Sequence, residues 1–245
     1  MMGTLLQGEG VVSGYGSIRV LDGVDLAVPE GSVVVLLGAN GAGKTTTLRT
    51  IAGLLPVWHG RIMMDGRRID GLRHQDVARR GVLLVPEGRG VFPALTVREN
   101  LEVAVRGSPD TVARRRQGAI DEVLDGFPRL RERLTQQAGT LSGGEQQMLA
   151  LSRGLLARPR LLMIDELSLG LAPLIVEGLF ATVAELKARH QTILLVEQYL
   201  SHALAVADLC YVLARGRVAF VGDRGEMRRP DVVAEIYLGD ASERV

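Results

Sequence analysis

Several functions lack their usual residues in this chain. Cys210 is the single cysteine, which excludes an intramolecular disulfide and a cysteine-based metal pattern and leaves small apolar packing as its expected role. His59, His74, His190 and His202 are scattered without ligand spacing, so all four read as exposed or internally satisfied. Aromatic residues make up 4% of the chain and the net charge is +1, so no broad basic field or stacking platform argues for nucleic acid. Arginine clusters at Arg67-Arg68, Arg79-Arg80 and Arg114-Arg115-Arg116 have no aromatics between them and read as solvated helix faces or a partner contact. Apolar residues reach 47%, yet no run approaches the roughly 18 apolar residues of a membrane span. Met1 to Glu9 has neither a basic start nor an extended apolar core, unlike a signal peptide. Together these absences point to the cytosol, at a place where docking on a membrane partner is open.

What is present centres on Gly38-Ala39-Asn40-Gly41-Ala42-Gly43-Lys44-Thr45-Thr46, which fits G-x-x-x-x-G-K-[ST]. Val33 to Leu37 before it is β-branched and apolar, and reads as a strand buried on both faces. After it, Leu48, Ile51 and Leu55 fall on one helical face. The glycines let backbone N–H groups turn inward on phosphate oxygens, and the helix start adds the positive end of its dipole. Lys44 supplies a point charge for the β- and γ-phosphates, and the Thr45 hydroxyl is placed for Mg²⁺. Only Lys44 and Lys187 are lysines among 29 basic residues, so a lysine here suits a role that a planar guanidinium fork fits poorly.

Short apolar stretches at Val11-Val12, Val20-Leu21, Val24 to Val28 and Arg61 to Met64 predict an antiparallel edge layer. Tyr15, between Gly14 and Gly16, reads equally as a locally packed loop aromatic or as a ring for stacking on a base. Val82 to Val85 is a short buried strand ended by Pro86 and followed by the loop Glu87 to Pro93. From Thr96 to about Gln136 the composition becomes helical, with breaks near Gly107-Ser108-Pro109 and Gly126-Phe127-Pro128, which predicts a helical insert in an α/β core. Ser142-x-x-Glu145 is a capping-box pattern, with Met148, Leu149, Leu151 and Leu155 as the apolar face behind it. Its plain reading is a well-capped helix; its functional reading is an anion site at the free amides of Ser142, Gly143 and Gly144. Leu161 to Ile164 is an apolar strand ending in Asp165, suited to a Mg²⁺ shell, and Glu166, suited to deprotonating a water. A helix from about Pro173 to Arg189 buries Ile175, Leu179, Val183 and Leu186; then come a strand at Thr192 to Val196, a hairpin around Arg215-Gly216 and a short helix from Pro230 to Leu238.

Over nearly its whole length the chain resembles the nucleotide-binding subunit of an ABC transporter. Gly38 to Thr46 is similar to the family's phosphate loop, Leu141-Ser142-Gly143-Gly144-Glu145-Gln146-Gln147 to its signature motif, and Tyr15 to its adenine-stacking aromatic. The resemblance implies a single ABC ATPase domain, with a phosphate-loop α/β core over about 1–92 and 159–245 and a helical subdomain over about 93–158. It implies ATP and Mg²⁺ as ligands, with Thr45, Asp165 and Glu87 at the metal and Glu166, Lys44 and Gln198 in catalysis. It also implies head-to-tail pairing with a second ATPase subunit, whose site Ser142, Gly143 and Gly144 would complete, and transmembrane permease subunits on the inner face of the membrane.

Three positions depart from the general pattern: Glu87 for a glutamine, Gln198 for the switch histidine, and Ala172 for an aspartate. Pro86-Glu87-Gly88-Arg89, Ser168 to Pro173, Val196-Glu197-Gln198 and Ile236-Tyr237-Leu238-Gly239 together resemble an ATPase subunit of branched-chain amino acid importers. Leu167 departs even there, where proline is expected. Importers of urea or short amides, and soluble ABC ATPases acting on DNA or ribosomes, are the other readings; 245 residues leave no room for the long inserts or tandem domains of the latter.

Overall fold

A computed structural model of the chain describes residues 3–88, 90–107, 113–229 and 232–233. Its elements in chain order are β1 (Thr4–Tyr15), β2 (Ile18–Pro29), β3 (Val33–Leu37), α1 (Lys44–Ile51), β4 (Val57–Met64), β5 (Arg67–Arg68), α2 (His74–Arg79) and β6 (Val82–Val85). Then follow α3 (Val97–Gly107), α4 (Ala113–Asp125), α5 (Pro128–Arg131), α6 (Gly143–Leu156), β7 (Leu161–Asp165), α7 (Pro173–Ala188), β8 (Thr192–Val196), α8 (Leu200–Val206), β9 (Leu209–Ala214) and β10 (Arg217–Gly222). The side chains of Arg114-Arg115-Arg116, the Ser108-Pro109 break, Arg89, and the predicted terminal helix apart from its helical residues 232–233, with its Ile236 to Gly239 stretch, lie outside the described residues.

Two sheets carry the architecture. The antiparallel one runs β2-β1-β4-β5, and the larger one β10-β9-β3-β8-β7-β6, with β9, β3, β8, β7 and β6 parallel. β3, β7 and β8 are buried along their whole length, as expected for strands covered on both faces. Alternation then divides their side chains. Val33, Val35 and Leu37 of β3 join Leu162, Ile164, Ile193 and Leu195 in the core beneath α6, α7 and α8. Val34 and Leu36 join Met163, Leu194 and Val196 in a second core shared with α1 and the antiparallel sheet. This is the period of two that sends successive strand residues to opposite faces. Among the described residues no helix is long and apolar enough to cross a membrane.

The edge layer is more regular than its sequence pattern: Thr4 to Tyr15 and Ile18 to Pro29 are two continuous strands with bulges, not several short ones. α1 is shorter than predicted. Gly53 sits at φ 70° just past its end, and the Leu54 amide donates back to the Arg49 carbonyl. That left-handed turn closes the helix, so Leu48 and Ile51 are buried while Leu55 lies beyond the helical face and is half-exposed. The buried face of α7 is also rotated from the expected one: Val176, Leu179, Phe180 and Val183 are buried, whereas Ile175 and Leu186 are partly exposed. Between β6 and β7 the described chain is helical, with Pro128 opening α5 in a helix's first turn.

Candidate active site

The carboxyl ends of parallel strands are where open α/β sheets place ligands, and here four of them converge. β3 runs into the glycine loop, β6 into Pro86-Glu87, β7 into Asp165-Glu166, and β8 into Glu197-Gln198. The loop itself needs glycine where backbone meets backbone. Gly38 has φ 145°, and a Cβ there would lie 2.2 Å from the Leu213 carbonyl oxygen. Gly43, at φ 108°, caps α1 with no side chain of its own. The first amides of α1 therefore have no carbonyl behind them and no capping side chain, which leaves them for an anion.

Lys44 is 5% exposed. Its Nζ donates to the carbonyls of Gly38 at 2.9 Å and Ala39 at 3.1 Å, folding the ammonium back over the loop. Burial pulls its pKa down, while the carboxylates of Glu166, Asp165 and Glu197 push it up. The Thr45 Oγ1 donates to Asp165 Oδ1 at 3.1 Å, joining the first turn of α1 to the tip of β7. Asp165 is 2% exposed. Burial raises its pKa to about 6, the Thr45 bond opposes that, and the charges of Glu166 and Glu87 add to it. Glu87 itself is exposed.

Glu166 has a left-handed backbone, φ 49°, uncommon for a residue with a side chain. Its Oε1 accepts from Gln198 Nε2 at 2.7 Å, and the same amide nitrogen donates to Asn40 Oδ1 at 2.9 Å. Gln198 thus bridges the phosphate loop and the acid at the β7 tip. Gly41 and Asn40 are exposed on the loop, while Ala42 and Thr46 are buried beneath it.

Tyr15 ends β1 with 39% of its surface exposed, and its hydroxyl accepts from Arg49 Nη1 of α1 at 3.1 Å. Ser142 caps α6 as its pattern predicts. The Glu145 amide donates to Ser142 Oγ, and the Ser142 amide donates to Glu145 Oε2 at 2.9 Å. Arg133 Nε pairs with the other Glu145 oxygen at 2.9 Å. Gly144 has a packing reason that sequence reading missed: a Cβ there would lie 2.2 Å from Ile175 Cγ2. The geometry brings together Thr45 with Asp165, and Asn40 and Glu166 through Gln198, with Lys44 folded over the loop beside them, whereas the bonds of Ser142 stay within its own cap.

Glu197 is the functional candidate that sequence reading left without a role. It is 1% exposed, its Oε1 accepts from the Ser168 amide at 3.0 Å, and its Oε2 accepts from Ser168 Oγ at 2.7 Å and from the Gln198 amide at 3.2 Å. Burial raises its pKa, and these donors oppose the rise. Its one signal was an acid immediately after a fully apolar strand. Cys210 is buried and its thiol is pushed up to about 12 by burial, in keeping with a packing role.

The sequence profile of the ABC transporter family matches residues 21–168. The chain is 43% identical to the high-affinity branched-chain amino acid transport ATP-binding protein BraG of Pseudomonas aeruginosa, over 96% of this chain and 100% of that protein. It is 36% identical to the probable branched-chain amino acid transport ATP-binding protein LivF of Archaeoglobus fulgidus, over 93% and 95% of the two chains. An ATP-binding cassette of an ABC transporter, solved in its ADP conformation, superposes with a TM-score of 0.83 at 27% identity, covering 97% of this chain and 100% of that one. Because the profile match takes in the phosphate loop, the Asp165-Glu166 strand tip and the Ser142 helix start together, the chain belongs to the ABC transporter family of ATP-binding proteins.

Proposed function

We propose that this chain hydrolyses ATP to power import of branched-chain or other hydrophobic amino acids, as a peripheral subunit on the cytoplasmic face of a membrane permease. The link from Asn40 through Gln198 to Glu166 carries the hydrolytic reading, because it ties a proton acceptor to the phosphate-binding loop. Lys44 and the first amides of α1 bind the β- and γ-phosphates. Glu166 takes the proton of a water aimed at the γ-phosphorus, and Gln198 holds the Glu166 carboxylate in line. Tyr15 offers its exposed ring to the base. The helices between β6 and β7 form the helical subdomain, over about residues 93–158.

Mg²⁺ fits Thr45 and Asp165. Asp165 is a buried carboxylate with one hydroxyl partner, and the like charges of Glu166 and Glu87 act on it more strongly than the opposing charge of Arg49, so a cation beside it is favoured. Among the described residues no cluster of three or more His, Cys, Asp or Glu would hold a metal alone, which matches an ion held by one or two protein groups and by substrate phosphates. When bound, Mg²⁺ would neutralise phosphate charge, and Glu87 would sit beside the metal or the attacking water and not on the phosphate directly. Ser142, Gly143 and Gly144 complete the site of a second ATPase subunit, more readily an unlike one than a copy. The identity to BraG supports the hydrophobic amino acid as cargo.

In the complex with its permease, Glu166→Gln is expected to lower ATP turnover by about 10²- to 10⁴-fold while nucleotide affinity stays within a few-fold. Near-normal turnover would place the base elsewhere. Uptake of labelled leucine into proteoliposomes tests the cargo, and uptake of urea in its place would redirect it.

A further inference from the structure

We infer that Glu197 is a positioning residue for hydrolysis, holding the exit of β7 and the amide of Gln198 in the one arrangement that keeps Gln198 on Glu166. The inference rests on the reading of Glu166 as the base. β8 is buried along its length, and Glu197 continues it with 1% exposure. A carboxylate so placed needs donors on both oxygens. Its donors are the Ser168 amide, the Ser168 hydroxyl and the Gln198 amide, with the Tyr199 backbone adding to them.

The destination of these bonds separates positioning from plain packing. All of them come from the residues that follow β7 and β8. Ser168 is two residues past Glu166, and Gln198 is the residue that bonds Glu166 at 2.7 Å. Glu166 sits in a left-handed backbone at φ 49°, a conformation that surrounding structure has to impose. The Glu166 amide donates to the Val196 carbonyl at 3.1 Å on one side of the turn, and the Ser168 bonds to Glu197 hold the other side. The end of β8 therefore grips the strained turn at both ends and fixes the backbone of its hydrogen-bonding partner with the same carboxylate.

All of these donors point at an acceptor-only group. Glutamine is nearly isosteric, but its NH₂ end would face at least one N–H or O–H donor. Glu197→Gln should thus loosen the corner with little change of volume. In the assembled transporter, steady-state ATPase and equilibrium ATP binding would be measured for Glu197→Gln and Ser168→Ala, each alone and on a Gln198→Ala background. A misplaced reactive group costs up to about 100-fold, so each single variant is expected to lose about 10- to 100-fold in kcat with KM for ATP within about threefold. On the Gln198→Ala background the loss from Glu197→Gln should shrink, because part of what it positions is gone. Turnover within twofold of wild type in a folded Glu197→Gln protein would overturn the inference, as would an undiminished loss on the Gln198→Ala background. If Glu197→Gln does not fold, Ser168→Ala decides by the same criteria. Glu166→Gln run alongside keeps the two readings apart: full turnover there defeats the base assignment, while loss there with none in Ser168→Ala and Glu197→Gln defeats this inference alone.

Discussion

In the proposed mechanism the corner around Lys44 and the start of α6 both meet phosphate, yet they are held together in opposite ways. In the corner, partners are far apart along the chain: Thr45 with Asp165, Asn40 with Gln198, Gln198 with Glu166. At the α6 start, Ser142 and Glu145 satisfy each other across one helical turn. The corner collects buried charge that the fold must hold in place, and the cap satisfies itself across one helical turn. A composite site made of both would unite a preorganised half with a locally self-sufficient one. Damage to the first should therefore be felt in chemistry and stability alike, and damage to the second, away from the tightly packed Gly144, chiefly in assembly.

Mixing the two lesions gives the largest effect. Gly143→Asp places an acid in the first turn of α6, where the helix dipole favours it, so the fold should persist. In a dimer its carboxylate would face the partner's γ-phosphate, a like-charge contact expected to cost about 100-fold or more in turnover. Lys44→Ala should weaken ATP binding and hydrolysis together. A mixed dimer of these variants has one intact site, and partial recovery of ATPase is the expected result. No recovery despite demonstrated subunit exchange would break the composite reading.

A smaller effect concerns what the corner costs. Asp165 holds its proton more tightly in the fold than its ordinary value of 3.8 would allow, up to about 6. The stability from that proton is fully present below about 3.8 and is lost as pH rises through about 6. At pH 7.5, without metal or nucleotide, the charged carboxylate is therefore a burden. Asp165→Asn should raise the unfolding temperature there by a few degrees, with the gap closing near pH 4, while hydrolysis is abolished. A lower unfolding temperature at pH 7.5 would show that the charge is stabilised by groups other than those described.

The smallest effect is at Gln198. Histidine there keeps one donor to Glu166 or Asn40 and gains the ability to carry a proton. The isolated subunit is expected to hydrolyse ATP slowly, and Gln198→His should raise that rate by less than about tenfold or leave it unchanged. A pronounced fall in the ATPase assay would mean that both amide bonds are needed, and an already fast wild-type homodimer would remove the need for an unlike partner.

What the sequence disclosed follows the same division. The phosphate loop, the apolar strands and the Ser142 cap were legible because each is a short pattern with a local cause. Leu55 was misplaced because the pattern continued past a glycine whose left-handed turn ends the helix. The α7 face shifted toward Val176 and Phe180 because packing on α6 and α8, not periodicity alone, chose which side went inward. Glu197 had no legible role, since its partner Ser168 lies 29 residues away on a different strand's exit. Only the parallel pairing of β7 with β8 brings the two together.

The contact between Gly144 and Ile175 bears on how relatives of this protein should be judged. Position 144 excludes a side chain because α6 and α7 touch there, whether or not ATP ever arrives. A descendant that had lost hydrolysis would stay under the same pressure to keep glycine, simply to fold. Its retention would thus be a poor marker of surviving activity, and loss of any hydrogen-bond donor at position 198, where the half-buried Gln198 amide bridges loop and acid, a far better one.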